Sequence, residues 1–214
     1  MRHSFWSNLL MNNASEAAPT VFIVDDDAAI RFAMQALMDS VNLNHEIFGS
    51  ADEFLEKLTN QRPGCLVLDI RMPGLGGLEL QEELIKRDNT LPIIFITGHG
   101  DVPMAVEAMQ KGAVDFIQKP FRDQELLDRI REALATDEER REAQQHHAEV
   151  AARLERLTNR EREVFDLVVT GKPNKVIAYE LGVSQRTVEI HRARVMEKMQ
   201  ARSLADLVKM HMTA

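Results

Sequence analysis

Five side chains at four places in the sequence have types and spacing that suit phosphoryl chemistry. Asp69 closes the apolar run Cys65-Leu66-Val67-Leu68 and is followed by Ile70-Arg71-Met72-Pro73-Gly74. A short apolar run before a Pro-Gly turn reads as a buried parallel strand, which puts Asp69 at a carboxyl end, where open α/β sheets place ligands. An acid there can also simply cap the turn. A second run, Thr20-Val21-Phe22-Ile23-Val24, ends in Asp25-Asp26-Asp27. Acids crowded in this way repel one another unless a cation joins them, which points to a metal site; Asp27 alone reads as the cap of the next helix. Thr97, in Ile96-Thr97-Gly98-His99-Gly100, and Lys119, in Gln118-Lys119-Pro120, end two further runs. Carboxylates can hold a hard cation such as Mg2+, a hydroxyl can donate to a phosphoryl oxygen, and an ammonium can neutralise the charge that remains.

These residues act together only if the chain brings the four strand ends to one place. Strand and helix patterns alternate: Thr20 to Val24, then a helix Ala28 to Ser40; His45 to Phe48, then Ala51 to Leu58; Cys65 to Leu68, then Leu78 to Lys86; Pro92 to Ile96, then Val102 to Lys111; and Ala113 to Ile117 before a helix from Asp123 onward. Five such units predict an α/β doubly wound parallel five-stranded domain. Right-handed crossovers and a 2-1-3-4-5 order set the ends of the first, third, fourth and fifth strands around one crevice. Ile30, Met34, Leu37 and Met38 fall on one side of the first helix and pack on the sheet. Gly112 fits a left-handed helix cap.

With 214 residues and 44% hydrophobic content the chain suits one or two globular domains. No run is apolar enough for a membrane span, and Met1 to Pro19 lacks a signal peptide's core, so a cytoplasmic protein with a disordered N-terminal lead over residues 1–19 is expected. The single Cys65 has no disulfide partner in the chain and reads as a small core residue. Residues 1–157 carry 16 Lys and Arg against 27 Asp and Glu, a net of −11, while residues 158–214 carry 10 against 7, a net of +3. Only the C-terminal segment suits a polyanion.

After Leu126, Leu127, Ile130 and Leu134 the apolar stripe lapses through Asp137-Glu138-Glu139-Arg140-Arg141-Glu142, then resumes at Val150, Leu154 and Leu157. That predicts an α/β domain over 20–135, a long helical linker over 136–156 with an exposed middle, and a second domain over 157–214. His146 and His147 are adjacent, point apart and make a poor metal pair. Thr158 with Glu161 forms a capping box ahead of Val164, Phe165, Leu167 and Val168. Asn174 to Glu180 is a short helix, Leu181-Gly182-Val183-Ser184 a turn, and Gln185 to Met199 a longer helix capped by Ser184. This is the arrangement of an all-α helix-turn-helix domain, whose second helix enters the major groove; a helical hairpin in an interaction domain has the same outline. Gln185, Arg186, Glu189, Arg192 and Arg194 are polar positions of the second helix, while Val188, His191 and Val195 recur at core spacing. Lys172 and Lys175 flank it as phosphate contacts.

Val24-Asp25-Asp26, Leu68-Asp69-Ile70-Arg71-Met72-Pro73-Gly74, Thr97-Gly98 and Lys119-Pro120-Phe121 together resemble the receiver domain of two-component response regulators over about residues 20–135. Thr97-Gly98-His99-Gly100-Asp101-Val102-Pro103-Met104-Ala105-Val106 resembles the FixJ subgroup. The resemblance implies that Asp69 accepts a phosphoryl group from a sensor histidine kinase, and that Mg2+ is held by Asp26, Asp69 and the backbone carbonyl of Arg71, with Asp25 acting through metal-bound water. It implies phosphoryl contacts from Thr97 and Lys119, a cis Lys119-Pro120 bond and a switch role for Phe116. It also implies an output face near Val106, Met109 or Lys111. Leu157-Thr158, Arg160-Glu161, Glu163-Val164, Asn174-Lys175, Ile177-Ala178, Thr187-Val188 and Ile190-His191 resemble the LuxR-type DNA-binding domain. That implies double-stranded DNA, a homodimer formed on phosphorylation and RNA polymerase as partners. Lys175, Arg186 and Thr187 then fix the DNA backbone, while Glu189, Arg192 and Arg194 read bases. Relatives carry Lys where Glu189 stands, and an acid there favours a cytosine amino group. A phosphohydrolase would need an acid where Arg71 stands, and a flavodoxin-like module would not run its first strand into carboxylates. The expected protein is a transcription factor rather than an enzyme.

Overall fold

The structure, a computed structural model, describes residues 18–59, 62–98 and 102–213. Most of the expected N-terminal lead, and His99-Gly100-Asp101, lie outside the described residues. The chain divides into two compact units, one ending at Glu139 and the other beginning at Arg140.

The first unit alternates strand and helix: β1 (Thr20–Val24), α1 (Ala28–Ser40), β2 (His45–Phe48), α2 (Ala51–Lys57), β3 (Gly64–Asp69), α3 (Gly77–Lys86), β4 (Ile93–Thr97), α4 (Val102–Gln110), β5 (Asp115–Gln118) and the start of α5 (Asp123–Glu155). All strand pairs are parallel, in the order β2-β1-β3-β4-β5. Alternate residues on each strand serve opposite layers. Phe22, Val24, Leu66, Leu68 and Phe95 pack with Phe54, Leu80, Leu84 and Ala108 of α2, α3 and α4. Val21, Ile23, Cys65, Val67, Ile94 and Ile96 pack with Met34, Met38, Leu126 and Ile130 of α1 and α5. Cys65 is therefore core, and burial, with Asp137 adding to it, pushes its thiol up to about 12.

Several boundaries differ by a residue or two from the pattern. The largest shift is in β5, which starts at Asp115 rather than Ala113. The Ala113 amide still donates to the Ala108 carbonyl of α4 at 3.0 Å, so the helix exit takes the first residue that pattern alone gives to the strand, while the Val114 amide already donates to the Ile93 carbonyl of β4 at 2.9 Å. Gly112 has the expected left-handed backbone, with φ of 93°.

One expectation is overturned. The charged run after Thr136 is not exposed from its start: Asp137 is 1% exposed, and its Oδ2 accepts the Gly64 amide at 3.0 Å. Gly64 begins β3 with φ of 151°, and a Cβ there would stand 1.9 Å from the Thr20 carbonyl oxygen. Helical periodicity cannot register an acceptor demanded by a strand 73 residues earlier. Glu142 to Glu149 are exposed as expected. The long connecting helix is present as α5, and its Val150 and Leu154 are buried in the second unit's core.

That second unit holds the end of α5 and then α6 (Asn159–Val169), α7 (Asn174–Leu181), α8 (Gln185–Met199) and α9 (Leu204–Thr213). Thr158 and Glu161 make the capping box, Gly182 closes α7 with a left-handed backbone, and the Ser184 hydroxyl accepts the Thr187 amide at 3.1 Å. Val164, Phe165, Ile177, Val188, Val195, Met199 and Leu207 fill the core. The pattern reading stopped at Met199 and missed α9. Its signal was present in Ser203 and Asp206, whose side chains accept each other's amides as a start cap.

Replacing Asp137 with Ala leaves a buried amide without an acceptor and should destabilise the first unit by about 1–3 kcal/mol. Urea unfolding followed by far-UV circular dichroism checks this; an unchanged midpoint would mean that the contact contributes nothing.

Candidate functional site

Parallel pairing delivers the predicted side chains to one edge. Asp25 follows β1, Asp69 ends β3, Thr97 ends β4 and Lys119 follows β5, with register pairs Asp69 to Ile96 and Thr97 to Gln118 keeping neighbouring ends level. Carboxylate oxygens of Asp25, Asp26 and Asp69 all lie within 4.8 Å of one another. The Lys119 ammonium donates to Asp25 Oδ2 at 3.0 Å and stands 3.4 Å from Asp69 Oδ1. Its backbone amide donates to the Thr97 carbonyl at 2.7 Å, and the Lys119-Pro120 bond is cis.

The three acids sit in different surroundings. Asp25 is 1% exposed, and its Oδ1 accepts the Asp27 amide at 2.8 Å, while Asp26 is exposed. Asp27 caps α1 through the Ala29 amide, as its position suggested. Burial pushes the Asp69 carboxyl above the usual carboxylate range; Lys119 pulls it back, and the charges of Asp25 and Asp26 raise it again. Burial pulls Lys119 down, yet its bond to Asp25 and the charges of Asp25 and Asp69 outweigh that and hold it above the ordinary lysine value. Lys119 therefore stays charged, and the cluster has room for more positive charge.

Gly77 belongs to this site although its spacing gave no hint of it. A Cβ there would lie 2.5 Å from the Asp69 carbonyl oxygen and 3.1 Å from the Phe95 ring, so glycine lets α3 approach the strand end. Thr97 is buried. Phe116, on β5, is 41% exposed, with its ring turned outward. Val106 and Met109 of α4 and Val114, just before β5, are also exposed, whereas Lys111 is tied to Glu82 and Glu107. Arg71 is exposed two residues past Asp69.

In the second unit, Gln185, Arg186, Glu189 and Arg194 are exposed on α8, and Lys175 is exposed on α7. Thr187 shares a hydrogen bond with the Ser184 hydroxyl. Two of the predicted contacts are already engaged: both oxygens of Glu180 accept from Lys172, and Asn174 Oδ1 accepts from Arg192 at 3.1 Å. His191 is half-buried, and its Nδ1 has no partner among the described residues. The C-terminal end of α8 is tied down: Lys198 donates to Glu161 and to the Arg156 carbonyl, and Arg153 donates to the Met199 carbonyl.

Residues 21–131 match the response regulator receiver domain, and residues 155–211 match the luxR family of bacterial regulatory proteins. The chain is a two-component response regulator. Nodulation protein W of Bradyrhizobium diazoefficiens is 52% identical over 90% of this chain and 85% of its own length. The transcriptional regulatory protein FixJ of the same organism is 44% identical over 91% and 95%. Among solved structures, response regulator StyR superposes with a TM-score of 0.85 at 45% identity, over 92% of this chain and all of its own. The response regulator family explains both units: an acidic receiver edge, and a LuxR-type helix-turn-helix in which α8 is the second helix.

Bonds from Lys198 and the Thr158 amide lower the Glu161 carboxyl to about 2. Its folded value lies below its unfolded one, so the stability it lends is complete above the ordinary glutamate range and is lost as pH falls toward 2. Thermal unfolding of the second unit should fall steeply with acid between about pH 4.5 and pH 2, and Glu161→Gln should flatten that part of the profile.

Proposed function

We propose that Asp69 is the phosphoacceptor of this response regulator. The observation that carries the reading is the Lys119 ammonium held between Asp25 and Asp69, with Asp26 completing the acidic cluster. An Asp69 carboxylate oxygen attacks the phosphorus of a sensor kinase's phosphohistidine. The P–N bond breaks, and the imidazole keeps the electron pair. Lys119 then moves its charge to the incoming phosphoryl oxygens, and the Thr97 hydroxyl donates to another of them. Three carboxylates at this spacing suit Mg2+, which Asp26, Asp69 and the Arg71 carbonyl would hold, with Asp25 acting through metal-bound water, and which would neutralise phosphoryl charge. Phe32, 74% exposed on the helix that starts at the acidic cluster, supplies apolar contact for the kinase. The only turnover is slow loss of the group from Asp69 to water, so the protein acts as a switch on transcription in the cytoplasm.

Phosphorylation pairs two copies through α4 and β5, on or next to which Val106, Met109, Val114 and Phe116 expose apolar side chains that water disfavours. Thr97 moves toward the phosphoryl group, and Phe116 turns inward behind it. With no hydroxyl on its ring, its two positions differ by packing alone. Paired receivers hold two LuxR-type domains over two half-sites, which raises the effective concentration of the second contact. Lys175, Arg186 and Thr187 contact phosphates, joined by Lys172 when it leaves Glu180. Gln185, Glu189, Arg192 and Arg194 face the bases, and RNA polymerase is the downstream partner.

Intact protein incubated with acetyl phosphate and Mg2+ should gain the mass of one phosphoryl group and shift toward dimer in sedimentation. Asp69→Asn should do neither, and its DNA affinity should stay at the unphosphorylated parent's level with the donor present. Equal mass gain in both proteins would sink the assignment.

A further inference from the structure

Glu189 and Arg192 stand three residues apart on α8, a spacing at which opposite charges meet on a helix surface. On α8 Arg186 with Glu189 and Arg194 with Glu197 form no ion pair among the described residues, whereas some pairs at this spacing close: Glu83 with Lys86 at 2.7 Å, and Asp128 with Arg131 at 3.1 Å. Glu189 and Arg192 do not. Among the described residues the Glu189 carboxylate has no ion pair, and Arg192 turns to α7, where its Nη1 donates to Asn174 Oδ1 at 3.1 Å. Asn174 is the first residue of α7, behind Pro173, and is half-buried.

We propose that Asn174 is a specificity-determining positioning residue: by holding Arg192 away from Glu189, it keeps the Glu189 carboxylate open to accept from a base amino group. This rests on the reading of α8 as the base-reading helix. A carboxylate in the major groove selects cytosine by accepting its N4 amino hydrogen. If Arg192 closed onto it, both lone-pair directions facing the guanidinium would be spent, and the position would lose its preference. Guanidinium has five N–H donors in a rigid fork, and Asn174 takes one, so Arg192 keeps donors for guanine or phosphate in an orientation fixed by α7. The neutral amide oxygen suits the task. It orders the fork without adding a second carboxylate close to the DNA backbone.

The experiment uses the full-length phosphorylated protein and duplexes selected by it from a randomised pool, followed by affinities for each single-base variant of the selected site. Glu189→Ala first locates the base pair that Glu189 reads; if it changes no preference, the base-reading assignment itself fails, and this inference with it. Given a located position, Asn174→Ala should reduce discrimination there by at least about fivefold, since a good side-chain-to-base pair is worth at least that much. Asn174→Asp, which keeps the acceptor, should preserve discrimination. Combining Asn174→Ala with Arg192→Ala should restore it, because the guanidinium released from Asn174 is then no longer there to close onto Glu189. Discrimination unchanged in Asn174→Ala, a uniform loss of affinity across all duplexes, or no recovery in the double variant would each overturn the proposal.

Discussion

Like charges forced together set the terms for the receiver unit. Unit charges within 4.8 Å of each other repel by about 3 kcal/mol at an effective dielectric of roughly 20, and three carboxylates share that space here. One ammonium, that of Lys119, lies against two of them. The cluster is thus under-compensated, and it can take up positive charge or give up its lysine to a stronger anion. The sheet order is what brings these charges together. Asp25, Asp69 and Lys119 come from strand ends that are far apart in sequence, and only parallel pairing of β1, β3, β4 and β5 in this order levels them at one edge. Gly77 is part of the same constraint, since any side chain there would push α3 off the strand end that carries Asp69.

The LuxR-type unit handles charge in the opposite way. Its structural ions are paired away from the exposed face of α8, with Lys198 on Glu161 at one end and Lys172 on Glu180 beside α7. Arg186, Glu189 and Arg194 remain without ion pairs among the described residues. With α8 proposed as the base-reading helix, polar groups left unspent are an advantage, because every intrahelical pair would have to break before DNA contacts could form.

Much of this was legible in the sequence because the signals are local. Apolar runs ending in Asp25, Asp69, Thr97 or next to Lys119 fix both strand and strand end, and the 2-1-3-4-5 order with its crossovers then gathers them. Thr158 with Glu161 and Gly182 with Ser184 are capping chemistry written within a few residues, and the structure has both. What pattern missed depends on distant partners. Asp137 looks like one acid in a solvated run until the Gly64 amide is placed beside it. Lys172 and Arg192 look like free cations until α7 brings Glu180 and Asn174 to them. The α9 helix was missed for a different reason: its Ser203 and Asp206 cap is local and readable, but nothing in the helix-turn-helix outline demanded a further helix.

The contrast between the two halves also bears on how a single phosphoryl group can matter to the whole protein. Residues 1–157 carry a net of −11 and residues 158–214 a net of +3, so the receiver half is repelled by DNA while the other half is drawn to it weakly. A surplus of three charges gives modest non-specific affinity, well short of a domain that holds DNA by electrostatics alone. On the proposed reading, specific binding comes from base contacts and from joining two domains, and pairing of two copies supplies the second without altering any residue that touches DNA. If Asp69 is the phosphoacceptor as proposed, the control point belongs in the receiver, where one added anion beside Lys119 changes the local balance of the acidic cluster, and α8 itself needs no switch.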